Sequence, residues 1–476
     1  MVSTSRASIV STTTLFRLAR PAAASFLRLS RPAAAMSLLI AIPLATSAMA
    51  TVESQTRVEL ARFMDVFQEV KSNYVEPVDD SHLIEGAIQG MLASLDPHSG
   101  YLDARDFAQL RTTTDGQYGG LGLSVTMEDG AVKVIAPQAG TPADRAGIKA
   151  GDFITHIDGE LLIGFDLDEA VEKMRGTPGT SIRLTVVRPG RDEPIQANIT
   201  REVIVLRPVT WVVQGDIGVL TLSSFSDNVG AQMRSAMAAV QRQLGHRPTG
   251  WVLDLRSNPG GLLDEAVAVS DLFLESGEIV SQRGRRAGDV EHFVAHAGDA
   301  AGGLPIIVLI DQGSASASEI VAGALQDQHR AVIMGETSFG KGSVQTVIPL
   351  SETTALRLTT ARYYTPSGRS VQEGGIVPDI RVPQISDPDY RTRPIFREAD
   401  LRRHLVNQTR TDPRAIEQDS TPDPRFDQTA EQVRAQGIED FQMHYALETV
   451  ARLARNPRLA ASMRPRAAAA PVRRNR

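Results

Sequence analysis

The chain has 476 residues, 42% of them hydrophobic: room for two to four domains at roughly 100–200 residues each, and too polar for a polytopic membrane protein. Fifty basic against 56 acidic residues give a net charge of −6, so no overall basic field invites nucleic acid. Cys is absent and none of the nine His falls into an HExxH-like spacing, which excludes disulfides and Cys nucleophiles and argues against a zinc hydrolase.

The first 50 residues hold five Arg and no acid, leaving 45 basic against 56 acidic residues in the remainder. An acid-free apolar run from about Ala33 passes through Met36–Leu44 and ends in Ala48-Met49-Ala50, so residues 1–50 read as a secretory signal cleaved after Ala50. An uncleaved anchor helix is the alternative, since ~18 weakly apolar residues just span a bilayer. Either way the rest of the chain is expected outside the cytoplasm, in the periplasm or another extracytoplasmic space.

Val58, Leu60, Ala61, Met64, Val66, Phe67 and Val70 recur at helical spacing, and a second helix is expected over Leu83–Leu95, stopped by Asp96-Pro97-His98-Ser99-Gly100. The polar stretch Thr112–Gly116 reads as a linker into a β-rich unit. That unit has strands at Leu121–Met127, Ala131–Ile135, Phe153–Ile157 and Ile182–Arg188 and one helix at Leu167–Met174.

From Val209 the pattern changes. Short apolar strands at Ile217–Leu222, Trp251–Leu255, Ile306–Ile310 and Ala331–Met334 alternate with helices at Val229–Leu244, Leu262–Leu274 and Ser318–Gln328. Such alternation predicts an α/β layer of largely parallel strands, with Ala355–Tyr364 as a strand near its end. Beyond Val382 the chain is rich in Pro, Arg and Asp, with one helix around Glu439–Leu453 and a disordered tail at Arg464–Arg476.

Only five of the 50 basic residues are Lys, and Lys341 is the one that follows residue 173. A chain that uses Arg elsewhere yet sets Lys between Gly340 and Gly342 nominates a general base, because buried Lys can lose its proton and Arg cannot. With no Cys, the nucleophile is Ser or Thr. Gly313-Ser314-Ala315-Ser316-Ala317-Ser318-Glu319 joins a buried strand to a helix, a turn that exposes a side chain and aims N–H groups at one point; an N-cap cluster is the plainer reading. A second turn, Arg256-Ser257-Asn258-Pro259-Gly260-Gly261, also ends a strand. In a parallel sheet both turns meet at one edge.

These motifs, with Ser338-Phe339-Gly340-Lys341-Gly342-x-x-Gln345, Leu358–Arg369 and Gly86–Ser99, resemble the carboxyl-terminal processing (tail-specific) serine proteases over about Val58–Val382. The resemblance implies a crotonase/ClpP-like α/β catalytic core, an inserted PDZ domain and an N-terminal helical segment. It implies Ser316 as nucleophile, Lys341 as base and Gln345 orienting Lys341, feasible at i+4 if that stretch is helical. The oxyanion donors would be the N–H of Ala317 and of Gly260 or Gly261. Gly120-Leu121-Gly122-Leu123 would be the PDZ carboxylate loop, with a substrate C-terminus added as a strand beside Gly122–Met127. Arg175, at the end of the PDZ helix, is the candidate for coupling occupancy to activity through an acid of the catalytic domain; a plain surface Arg is the alternative.

The expected domains are thus a signal peptide (1–50), a helical region (51–107), the PDZ domain (108–201), the catalytic core (202–385) and a C-terminal extension (386–476). The resemblance implies no cofactor and no metal. Expected partners are protein substrates with free C-termini, a second copy through the helices of residues 58–95, and a periplasmic adaptor, without nucleic acid. A non-catalytic PDZ adaptor would have lost Ser316 or Lys341, and a crotonase-type acyl-CoA enzyme leaves the PDZ-like insert unexplained. His329, on a polar helix end, reads as a solvated C-terminal cap rather than a catalytic His.

Overall fold

The computed structural model describes residues 38–128, 130–390, 392–407 and 426–456. The chain divides into two units, residues 1–83 and 84–476. In the first, a helix runs over Leu38–Asn73; a second, Asp80–Ala93, crosses the unit boundary. The first 37 residues of the expected signal and the expected disordered tail lie outside the described residues. No described helix is long and apolar enough to cross a membrane.

The second unit contains the expected α/β layer as a six-stranded sheet. The strands Ile217–Leu222, Gly250–Asp254, Ile306–Ile310, Val332–Gly335 and Ile380–Arg381 run parallel, and Val209–Gln214 pairs antiparallel at one edge. Every residue of Ile306–Ile310 is buried, as a strand covered on both faces requires. Its side chains alternate between two cores. Ile306, Val308 and Ile310 pack with the helices Val229–Leu244, Leu263–Asp271 and Ala317–Asp327. Ile307 and Leu309 pack with Ala446, Val450 and Leu453 of the helix Phe441–Arg455. The helix Phe441–Arg455 of the expected C-terminal extension is therefore a third layer of this α/β unit, not an appendage.

Two sequence expectations are corrected. Ala355–Tyr364 is not in the parallel layer: it belongs to a separate antiparallel sheet with Gly100–Leu102, Glu278–Gly284, Val290–Val294 and Ser343–Pro349. Local alternation foretells a strand but not its partners, which here lie up to about 250 residues away, so pairing is a tertiary choice. The expected linker Thr112–Gly116 instead ends a helix, Ala104–Asp115, capped by the Asp103 carboxylate and closed by Gly116 at φ 66°. Phe107 and Leu110 pack that helix on Leu102 and Ala355, which outweighs the weak helix propensity of its three Thr.

The β-rich unit has its helix at Leu167–Met174 and a sheet in which Leu123–Glu128 is an edge strand. A two-stranded ribbon, Gln117–Gly120 with Glu202–Val205, joins it to the rest of the unit.

Candidate active site

The strands Gly250–Asp254 and Ile306–Ile310 are parallel neighbours, so the turns that follow them leave from one edge. The turns are tied to each other. Ser257 N–H donates to Asp311 at 2.8 Å, and Ala315 N–H and Ser318 Oγ donate to the Asn258 carbonyl at 3.0 and 2.9 Å. Ser316 sits at φ 53°, ψ −111°, immediately before the helix Ala317–Asp327. A non-glycine residue there is strained, and such strain persists only where the surroundings enforce it. The enforcement is close packing: a Cβ on Gly260 would stand 2.9 Å from both Ser316 Cβ and Ala317 N.

Counting backbone donors separates the two glycines. Gly260 N–H donates to Asn258 Oδ1 at 2.9 Å. Gly261 N–H and Ala317 N–H have no acceptor among the described residues.

A wholly buried carboxylate, Glu319, joins the serine turn to the lysine loop. Its Oε2 accepts the N–H of Ser316 at 2.7 Å and of Lys341 at 3.0 Å, and its Oε1 accepts Ser338 Oγ at 2.6 Å and Gly340 N–H at 2.7 Å. The Tyr363 hydroxyl reaches the carbonyls of both Ser316 and Lys341. Burial pushes the Glu319 carboxyl up to about 7, against the four donors that favour its charged form. Glu319→Gln would turn an amide NH2 toward groups that already donate, orphaning one or two buried N–H groups in either orientation. At about 1–3 kcal/mol per orphaned donor, we predict a loss of roughly 2 kcal/mol or more, read from urea unfolding, with peptidase activity lost alongside.

Lys341 is half-buried, and this partial burial pushes its pKa below the ordinary lysine value. Arg357 acts in the same sense, while Glu398, Glu319 and Asp96 oppose it. Ser316 Oγ and Lys341 Nζ share no hydrogen bond in this structure, although their backbones meet on Glu319 and Tyr363. Catalytic hydrogen bonds often tighten only once substrate is bound.

Gln345 corrects an expectation. Its segment is the strand Ser343–Pro349, not a helix, and its amide donates to Ser343 Oγ at 2.9 Å and Thr359 Oγ1 at 3.4 Å rather than to Lys341. His329, exposed and at φ 52°, ends the Ala317–Asp327 helix.

In the β-rich unit, Leu121 N–H and Gly122 N–H have no acceptor among the described residues, while the Leu121 and Gly122 carbonyls accept from Ala143 N–H and Gln138 N–H. Gly122 lies at φ 77°, which turns successive N–H groups outward at low cost. Gly120 precedes them at the end of the ribbon, and Leu123 opens the edge strand. Arg175 caps the Leu167–Met174 helix. Its guanidinium bonds Gln109, lies 5.0 Å from the Tyr118 ring centroid and 3.7 Å from Glu172. Among the described residues, no acid of the α/β layer hydrogen-bonds or ion-pairs with it. Gln109, however, is on the helix whose Thr114 carbonyl accepts Asp227 N–H of that layer at 2.8 Å.

Sequence reasoning gave no role to Glu319, Tyr363, Asp96, His98 or Glu398. The first four stood in recognised motifs; Glu398 stood in a Pro/Arg-rich stretch with no signal of its own. Among the described residues, no cluster of three His, Asp or Glu could hold a metal ion.

A strained serine at the edge of a parallel layer, tied through Glu319 to a half-buried lysine and accompanied by free N–H donors and a PDZ-like unit, defines a serine peptidase architecture. Models of peptidase family S41, the PDZ domain and the N-terminal domain of the activating protease CtpB match residues 216–382, 133–188 and 41–106. The chain is 51% identical over 374 residues to a carboxy-terminal-processing protease of Bartonella bacilliformis, covering 78% of this chain and 86% of that one. It is 35% identical over 351 residues to the carboxy-terminal processing protease CtpB of Bacillus subtilis, covering 73% and 72%. A solved photosystem II D1 C-terminal processing protease is 29% identical with a TM-score of 0.41, covering 67% of this chain and 92% of that one. The chain belongs to peptidase family S41, as a carboxy-terminal processing serine protease with a PDZ domain.

Proposed function

We propose that Ser316 and Lys341 form a Ser–Lys dyad in a periplasmic endopeptidase that selects substrates by their apolar C-termini. The observation that carries this reading is the shared anchorage of the two residues: one Glu319 oxygen takes both their N–H groups, and burial lowers the Lys341 pKa. Neutral Lys341 takes the Ser316 proton as Oγ attacks the scissile carbonyl, and the N–H groups of Ala317 and Gly261 receive the oxyanion. Gly260, its own N–H committed to Asn258, keeps that pocket narrow. Protonated Lys341 then donates to the leaving amine. Gln345 steadies Ser343 and Thr359 beneath the lysine loop.

The periplasmic location rests on the Arg-bearing, acid-free segment ending in Ala48-Met49-Ala50. A second copy through the Leu38–Asn73 helix is supported by its exposed Val58, Leu60, Phe63 and Met64. The adaptor has the support of the location alone.

For recognition, the free N–H groups of Leu121 and Gly122 hold the substrate carboxylate, and the peptide adds to the open edge of Leu123–Glu128. Half-buried Leu123, Val125 and Val171, packed on the domain core, offer the apolar contact. Arg175 would report occupancy through Gln109 and the Ala104–Asp115 helix. The test is a matched pair of unfolded substrates differing in a free or amidated apolar C-terminus. Amidation should lower kcat/KM by roughly tenfold or more, the loss of a charged hydrogen-bond partner costing about 1.5–3 kcal/mol. Equal cleavage would mean that the loop does not read the tail.

A further inference from the structure

Glu398 lies beyond the matched peptidase segment, which ends at residue 382, yet its side chain is wholly buried beside the Lys341 loop. It grips that loop on both sides. Its N–H donates to the Phe339 carbonyl at 3.2 Å, and its Oε1 accepts Gln372 Nε2 at 2.9 Å, while Gln372 Oε1 accepts Gly342 N–H at 3.0 Å. The remaining partner comes from far away in sequence: His98 Nε2 lies 2.9 and 2.8 Å from the two carboxylate oxygens.

The segment that carries His98 is itself docked on the Ala355–Tyr364 strand. Arg357 Nε donates to the His98 carbonyl at 2.9 Å, and Asp96 Oδ1 accepts Thr359 Oγ1 at 3.0 Å. A buried carboxylate is expensive unless charge or hydrogen bonds compensate it. The Glu398 carboxylate meets His98 and Gln372 directly, and it also acts electrostatically on Lys341 and on His404.

We propose that Glu398 and His98 are positioning residues for Lys341, a clamp that makes the segment before the PDZ domain and the C-terminal extension parts of the active site. The clamp holds the lysine loop against Glu319 and places a carboxylate where Lys341 becomes an ammonium during acylation, so it stabilises the charge that develops there. The other charged groups facing Lys341 are Glu319 from the serine helix, Asp96 from the segment before the PDZ domain and Arg357 from the antiparallel sheet; the Tyr363 hydroxyl meets its carbonyl. Of the three carboxylates, Glu398 acts most strongly on the lysine.

This inference rests on Lys341 as the base, and its test keeps the two claims apart. On the full chain with a free-C-terminus peptide, kcat and KM are measured across pH 6–10 for wild type, Glu398→Gln, His98→Ala and His98→Gln, with Ser316→Ala and Lys341→Ala as controls. Removing the Glu398 charge favours neutral Lys341. The acid limb of the kcat/KM profile should therefore move to lower pH by about half a unit or more, and the plateau should fall several-fold as the base weakens. KM should stay within about twofold. His98→Ala should lower kcat about tenfold without moving KM, and His98→Gln, which keeps a donor to Glu398, should recover most of that loss. An acid limb superimposable on wild type, or a His98 loss that Gln does not recover, overturns the clamp. Should Glu398→Gln fail to fold, the His98 pair decides. Activity surviving in Ser316→Ala or Lys341→Ala would instead overturn the dyad, and the clamp with it.

Discussion

Lys341→Arg should be as inactive as Lys341→Ala, with kcat/KM down about 10²–10⁴-fold in both. The reason is protonation rather than charge or reach. Guanidinium keeps its proton at any workable pH, whereas burial lowers the Lys341 pKa and makes the neutral amine accessible. The sign follows: the neutral form is the working one, so the wild-type rate should climb with pH through the lowered lysine pKa and then level off. Arg also brings a larger, planar head into a loop between Gly340, at φ 98°, and Gly342, whose Cβ would stand 2.6 Å from Gln372 N. Thermal unfolding of each variant separates lost chemistry from lost structure. A partly active Arg variant would show that position 341 supplies only positive charge.

Ser316→Ala should lose activity by about 10³-fold or more while the fold survives. Ser316 Oγ has no hydrogen-bond partner among the described residues, so its removal orphans nothing. Ala also keeps the Cβ that packs on Gly260, so neither cavity nor clash arises. Stability should stay within about 0.5 kcal/mol of wild type by urea unfolding. A pronounced drop in stability would mean that the hydroxyl serves the turn; retained turnover would move the nucleophile elsewhere.

How much of this was legible in the sequence depended on the range of the interaction. Ile306–Ile310, Phe153–Ile157 and Leu167–Met174 read true to the residue because burial imprints its own period on a short window. Lys341 stood out from composition, as the one lysine after residue 173 in a chain that prefers arginine, whereas Ser316 was singled out only by the resemblance of its turn to the family motif. The failures are long-range. Whether Ala355–Tyr364 joined the parallel layer was settled by Gly100–Leu102 and Glu278–Gly284, which no local window contains. The supposed helix at Gln345 became a strand because Ser343–Pro349 pairs with Ala355–Arg362. Glu398 was invisible for the same reason: its partners are residues 98, 339 and 372, and its neighbours in sequence resemble a polar tail. The glycine pair lay between these extremes. Close approach was foreseeable, but the choice of Gly261 as the free donor came from Asn258 Oδ1 taking the Gly260 N–H.

The central claim is that Lys341 activates Ser316, and the most direct measurement is the rate of covalent labelling by a serine-directed fluorophosphonate. It is followed by mass spectrometry from pH 6 to 10 in wild type and Lys341→Ala, and it needs no knowledge of the natural substrate. The account predicts a single adduct on the peptide carrying Ser316, a wild-type rate that rises with pH to a plateau, and a rate at least about 100-fold lower in Lys341→Ala. An adduct on another serine, or equal labelling rates in the two proteins, would contradict it.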